Sequence, residues 1–246
     1  MAPHSLAGDR PAVGGPFLDV RHRKLEATQA LLGDTIRIAE PAWHEPSRLP
    51  GWTRGHVATH LARNADGFVK VVQGFLSGIP SRLYASDAER DRAIDLGAER
   101  DGLALQIDLD TSAGLLNKVF DLIDPEDDGM VRLRSGIRVP LTLLPLARLN
   151  EIVLHHIDLD CGFEIDDVDA EIARWLLEWQ AFRIGADPDH LAFRVRSASG
   201  FVAEIGGQGE PTDVWGPDNR LLGWLSGRSG PEGLENAPDV TFQPHG

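Results

Sequence analysis

Two stretches of the chain carry groups able to hold a cation. In "GHVATHLARN", residues 55–64, His56 and His60 stand four apart, and in "NEIVLHHIDLD", residues 150–160, Glu151 and His155 repeat that spacing. Read as helices at about 100° per residue, His56 falls about 40° to one side of His60 and Asn64 about 40° to the other. They share that face with Val57, Gly67, Val71 and Phe75. Glu151, His155 and Asp158 fall within about 60° of one another, on a stripe shared with Leu144, Ala147 and Leu154. Polar groups therefore point where apolar groups point, and a carboxylate buried there needs a compensating charge. Two imidazoles and one carboxylate with a position left open form a catalytic zinc arrangement, and an i, i+4 pair lets one helix deliver two of the ligands. Spacing does not choose between His56 and His60. A buried Glu–His pair beside a separate core histidine satisfies the same pattern without metal.

The neighbouring groups have narrower roles. Asp158, one turn beyond His155, can accept the second N–H of a ligating imidazole and fix its tautomer, or simply sit near a helix end. His156 lies about 100° round from His155 and is expected to be structural or to face a seam between domains. Cys161 is the only cysteine. It excludes an intramolecular disulfide and a thiolate cluster, so a reacting thiol would come from outside the protein.

The elements that must position these groups follow from periodicity. Leu18, Leu25, Leu32, Ile36 and Ala39 predict an amphipathic helix over 17–39. "LPGWTRGHVATHLARNADGFVKVVQGFL" predicts a second helix, with Thr53 as N-cap and an end at Leu76 before "SGIP". Residues 77–98 read as a long connection containing a short helix. Leu103, Leu105, Leu109, Leu115, Leu116, Val119 and Ile123 predict a helix over 99–123, and a fourth long helix covers 140–160 with Pro140 and Pro145 in its first turns. Four such helices predict an antiparallel bundle with its site in the core. Beyond it lie a helix over 168–183, strands in "LAFRVRS", "FVAEI", "TDVWG" and "DVTFQ", and a short helix in "PDNRLLGWLSGR". The expected fold is α+β: a flexible arm over 1–16, a helical bundle over 17–163 and a small C-terminal α+β domain over 164–246.

Composition bounds the partners. The 246 residues are 42% hydrophobic and 25% charged, ordinary for a folded globular chain, with a formal net charge of −14. An acidic protein is not drawn to nucleic acid or to an anionic membrane surface, so a small-molecule partner is expected, with the protein a monomer or homodimer. No apolar run has signal-peptide or membrane-spanning length, which predicts a cytoplasmic location.

"LPGWTRGHVATHLARNA", "RLNEIVLHHIDL" and "VWGPDNRLLGWLSGR" together resemble the mycothiol-dependent maleylpyruvate isomerase family of the DinB-like superfamily. The resemblance implies a DinB-like four-helix bundle binding a divalent metal, usually zinc, followed by a small α/β domain that closes over the site. It places the metal ligands on His60, Glu151 and His155, and so selects His60 over His56; Asp158 and Asn64, on the same helix faces, are expected to support them from behind. It also implies arginines around the substrate pocket, with Arg90 and Arg228 the positional equivalents. Two positions depart from the family pattern: Asp160 replaces a glycine after the H-x-x-D-L string, and Asn150 replaces an arginine before the glutamate. The implied activity is zinc-dependent activation of mycothiol as a thiolate, with isomerisation of maleylpyruvate to fumarylpyruvate, where Arg90 and Arg228 hold carboxylates and the developing enolate. The alternatives are a mycothiol S-transferase acting on another electrophile, and a non-catalytic metal-binding module whose closed site takes His56 as a fourth ligand.

Overall fold

The computed structural model describes residues 13–185, 192–206, 210–238 and 242. Four helices form the bundle: α1 (Phe17–Thr35), α2 (Arg54–Leu76), α4 (Gly102–Phe120) and α5 (Leu144–Asp158). α1 packs on α4 and α5, and α2 packs on the same two, closing a ring. α2 and α5 are the central pair, buried along almost their whole length. α2 starts where expected. The Thr53 hydroxyl accepts the His56 N–H at 3.3 Å, and the Thr53 N–H donates to His56 Nδ1 at 3.2 Å, a capping box that ties up two orphan donors.

The short helix of the 77–98 connection is α3 (Asp87–Ala98), capped by Ser86, whose Oγ accepts the Glu89 N–H at 3.1 Å. It lies close on α2 because Gly97 meets Thr59 there. A Cβ at Gly97 would stand 2.3 Å from Thr59 Cγ2, so only glycine permits the approach.

Two expectations are corrected in the bundle. The residues expected to bury α1 are largely on its outside, with Leu18 62% and Ile36 72% exposed. The buried face instead carries Val20, Lys24, Thr28, Leu31 and Thr35. α1 ends at Thr35, before the predicted Ala39. The helix expected over 140–160 is α only from Leu144: Pro140 ends a strand and Leu141–Leu143 form a 3₁₀ turn, while β1 (Met130–Arg132) and β2 (Arg138–Pro140) form an antiparallel hairpin with Val131 opposite Val139. Val131 and Val139 are buried in the bundle core. Pro140 closes the second strand, and Pro145 alone occupies the first turn of α5.

α6 (Ala170–Gly185) joins the two halves. Trp175, Leu176 and Trp179 belong to the bundle core, while Leu177 and Ala181 face the C-terminal core. That second core lies between α6, α7 (Asp218–Leu225) and a three-stranded sheet of β3 (Phe193–Ser197), β4 (Val202–Ile205) and β5 (Thr212–Gly216). β3 is central, antiparallel to β4 and parallel to β5. The strand expected in "DVTFQ" lies outside the described residues except for Phe242, whose ring packs edge-on to Trp224 at 5.1 Å. Residues 1–12 of the expected arm are likewise outside them. Gly14 N–H donates to Glu178 of α6 at 2.7 Å, so the chain just before α1 is held to the C-terminal half.

Lys24 is the least expected member of the bundle core. Its ammonium donates to Asn117 and lies 5.3 Å from the Phe120 ring. Burial and the nearby charge of Arg148 push its pKa down to about 7 from an ordinary 10.5. Folding thus penalises the charged form: the penalty is complete below pH 7 and fades as pH rises from about 7 toward 10.5. Lys24→Met is expected to stabilise the protein by ~2 kcal/mol at about pH 6 and by much less at about pH 10, followed by urea melts at both values. The same gain at both pH values would mean that the lysine is not titrating in the core.

Candidate metal centre

α2 and α5 bring three side chains to one point. The ligand-capable atoms of His60, Glu151 and His155 all lie within 4.8 Å of one another. His60 Nε2 is 3.0 Å and His155 Nε2 is 3.7 Å from the same oxygen, Glu151 Oε2. Zinc bonds of about 2.0–2.2 Å at tetrahedral angles separate ligand atoms by roughly 3.3 Å, so small shifts convert this cluster into a coordination set. The imidazoles meet edge to face, centroids 4.5 Å apart. Both histidine side chains are buried, whereas Glu151 keeps 23% of its side chain exposed. The cluster is therefore approachable from the Glu151 side.

The electrostatics suit a cation. Burial and the neighbouring His155 push the His60 pKa down to about 4, so at neutral pH this imidazole is unprotonated and has a lone pair to give. Burial pushes the Glu151 carboxyl up, but the hydrogen bond and charge of His60, with His155 and Arg183 beyond, outweigh it and hold Glu151 well below the ordinary carboxylate range. A part-buried anion beside a neutral imidazole calls for positive charge.

Each group is oriented by a partner. Asp158 Oδ2 is 2.7 Å from His155 Nδ1, which fixes the tautomer that turns the Nε2 lone pair inward. Asp158 is itself held by Arg228 through Nε at 3.2 Å and Nη2 at 2.6 Å. Burial raises the Asp158 pKa, but His155 and Arg228 reverse the shift and keep it ionised. Asn64 Nδ2 donates to Glu151 Oε2 at 3.2 Å, and its Oδ1 accepts from Arg148 Nη1 at 2.6 Å. A guanidinium only donates, so Arg148 decides which way the Asn64 amide faces. Arg148 lies in the quoted string "RLNEIVLHH", yet its side chain had no role assigned from sequence.

The two arginines expected at a substrate stand differently. Arg90 is buried, with Nη2 3.1 Å from His60 Nδ1 and Nη1 2.7 Å from Asp91. The Trp52 and Tyr84 rings lie 5.7 and 5.8 Å from its guanidinium carbon. It is no surface residue of a charge run. Arg228 is not presented to solvent either: two of its nitrogens hold Asp158 and a third donates to the Ser226 carbonyl at 2.7 Å. Its first task is to hold a carboxylate of the protein.

His56 lies outside the cluster: its Nδ1 is engaged with Thr53 and its Nε2 lies 3.8 Å from Asp95. His156 is structural, but inside the bundle rather than at a seam. Its Nε2 lies 3.0 Å from Asp34 of α1, and its ring stacks on Phe163 with centroids 4.2 Å apart. Cys161 has its thiol pKa raised by burial and by the charge of Asp34, which makes it a poor nucleophile. Asp160 adopts φ +51°, the left-handed conformation that a glycine would take without strain. Bonds from Arg48 Nε at 2.9 Å and Arg54 Nη2 at 3.2 Å hold it there.

Residues 25–160 match the family model of the mycothiol maleylpyruvate isomerase N-terminal domain, a span that holds every member of the cluster. The chain belongs to this family. Its fold matches the crystal structure of mycothiol-dependent maleylpyruvate isomerase with a TM-score of 0.83 at 19% identity, over 94% of this chain and 97% of that one. The structure of a histidine-to-alanine mutant of that enzyme matches with a TM-score of 0.82 at the same identity and coverage. Among curated protein sequences none matches. No helix of the described residues is long and apolar enough to cross a membrane.

The ligand set is open to direct measurement. His60→Ala, Glu151→Gln and His155→Ala are each expected to drop bound zinc from one equivalent to about a tenth or less after dialysis, read by elemental analysis. His56→Ala should keep the metal and lose about 1 kcal/mol of stability with its cap. Loss of metal in that variant would restore His56 to the ligand set.

Proposed function

We propose that this family member is a zinc-dependent enzyme that uses mycothiol as a thiolate and isomerises maleylpyruvate to fumarylpyruvate. The observation that carries the proposal is the convergence of His60, Glu151 and His155 on one point with an open side, in a chain of this family that offers no activated cysteine. A divalent cation in the cluster would supply a Lewis acid that lowers the pKa of an entering thiol toward neutrality.

The protein's own residues perform the rest. In this proposal the bundle, residues 17–163, supplies the ligands, and the C-terminal unit, 164–246, closes over them with Arg228. Asp158 keeps His155 in the tautomer with a free Nε2, and Arg228 keeps Asp158 in place. Asn64, turned by Arg148, holds Glu151 Oε2 on the side of the histidines. Arg90 donates to His60 Nδ1, so His60 carries its hydrogen on Nε2, facing Glu151. Were Nε2 to hold a cation, the ring hydrogen would sit on Nδ1 instead, and Arg90 would then be free to donate to a substrate carboxylate. Addition of the thiolate sulfur to the cis double bond places the electron pair on the conjugated carbonyl as an enolate. The former double bond rotates, and collapse of the enolate expels the sulfur to leave the trans isomer. A cytoplasmic location suits a reaction that consumes no thiol but needs it reduced.

Purified protein supplied with zinc and mycothiol is expected to consume maleylpyruvate, to stop on chelation, and to recover when zinc is restored. Conjugates on other electrophiles without loss of the cis isomer would make the protein a mycothiol S-transferase instead. Asp158→Asn is expected to lower zinc affinity roughly 10- to 100-fold, measured by competition with a chromophoric chelator. Unchanged affinity would remove Asp158 from the orienting role.

A further inference from the structure

Four arginines surround the cluster, and three of them are engaged. Arg90 meets Asp91 and His60, Arg148 donates to Asn64 and to the Leu61 carbonyl, and Arg228 holds Asp158. The fourth is Arg183, on α6. Gln180, three residues earlier on the same helix, donates to Asn150 at 2.8 Å, and both side chains are buried. That bond pins α6 to α5 beside Glu151, and Arg183 lies about 60° from Gln180 around the α6 axis, on the face turned to α5. Glu151 and Arg228 both act electrostatically on Arg183, whose pKa is pushed down by burial, with Glu151 opposing the shift. Among the described residues it makes no hydrogen bond or ion pair.

Arg183 is half-buried and none of its nitrogens is cut off from water, so its donors stay open to an entering anion. The neighbouring helical turn shows the ordinary partner. Arg174 bonds Glu178 on the same helix at 2.5 Å. Arg183 has no such partner within the described residues, although the chain as a whole carries a net charge of −14. Arg90 is answered by Asp91 and Arg228 by Asp158, which leaves Glu151 as the one carboxylate acting on Arg183. An approaching ligand with a carboxylate would supply a second, and a planar bidentate contact is what guanidinium offers.

We propose that Arg183 is the electrophile's carboxylate anchor, a specificity-determining residue contributed by α6 to the open side of the metal cluster. The inference rests on the function proposed above in taking that open side as the place where substrate enters. It adds that substrate choice is exercised from the C-terminal unit, because Arg183 and Gln180 lie outside the stretch matched by the family model.

The test separates the anchor from the reaction. The zinc-loaded full-length protein, without thiol, is titrated calorimetrically with maleate, a dicarboxylate probe. Arg183→Gln is expected to weaken maleate binding at least about tenfold, the scale of a lost charged hydrogen bond, and Arg183→Lys to restore part of it. Zinc content and melting temperature should stay at wild-type values in both. In thiol-dependent turnover the glutamine variant should raise KM about tenfold while kcat changes by less than about threefold, a split that a general loosening of the fold would not produce. Maleate affinity within twofold of wild type in Arg183→Gln, or no maleate binding by the wild type, would overturn the proposal. Should Arg183→Gln fail to fold, Arg183→Lys decides alone: it keeps the charge but not the bidentate fork, and unaltered maleate affinity and KM in it would also count against the anchor. Arg183-dependent maleate binding with no turnover of maleylpyruvate would leave the anchor standing and sink the isomerase.

Discussion

Glu151 is an ionised carboxylate at the junction of the two most buried helices of the bundle, and the site is built around making that tolerable. A charge there cannot be left to solvent, since only part of its side chain is exposed. One helix answers with His60 and Asn64, its own helix with His155, and all three meet or approach the same oxygen. His60 is held neutral at physiological pH, so it satisfies geometry more than charge. The remaining demand for positive charge is what a divalent cation would meet, and the arginines share it from further out.

Those arginines reach the site from three directions. Arg148 comes from within α5 and works through Asn64, Arg90 comes from α3, and Arg228 follows α7 in the C-terminal half. The Arg228–Asp158 pair is nearly solvent-free at both ends. It therefore ties the position of the C-terminal half to the orientation of His155. Removing one member would leave the other as a buried, uncompensated charge, which costs more than the pair contributes. This makes the contact between the halves part of the cluster rather than a covering laid over it.

The helices that carry the chemistry were legible for the same reason that the chemistry is strained. Histidine, glutamate and asparagine recurring on an apolar face is costly unless the groups answer one another or a ligand, and the pattern is visible in a single sequence. Thr53 as a cap and the limits of α2 were legible too, because they depend on residues a few positions apart. α1 misled because its apolar residues and its buried residues are different sets: Lys24 and Thr28 face the core and Leu18 and Ile36 do not. Which face of a helix is buried is decided by its neighbours, and α1 meets α4 and α5 from far along the chain. The 130–140 hairpin was missed for a local reason, since its strands are three residues each and its closing Pro140 reads as a helix start. Choosing His60 over His56 required either the family or the capping box, because both sit on the same stripe.

Arginines are the least legible part of the site. Arg90 sits among charged neighbours in sequence and was indistinguishable from a solvated residue, yet it packs between α3 and the histidine with aromatic rings nearby. Arg228 carries the right position but a different first partner, and Arg183 offers no motif at all. The ligands come from the matched bundle, whose i, i+4 geometry leaves little room for variation. The cations that would meet a substrate come from α3, α6 and the segment after α7, where a change of one side chain leaves the cluster intact. Asn150 stands at the boundary: it precedes Glu151 on α5, and its side chain receives Gln180 of α6. On the proposed reading one cluster of ligands could serve different electrophiles, because what would hold the cation and what would select the anion are carried by different elements of the fold.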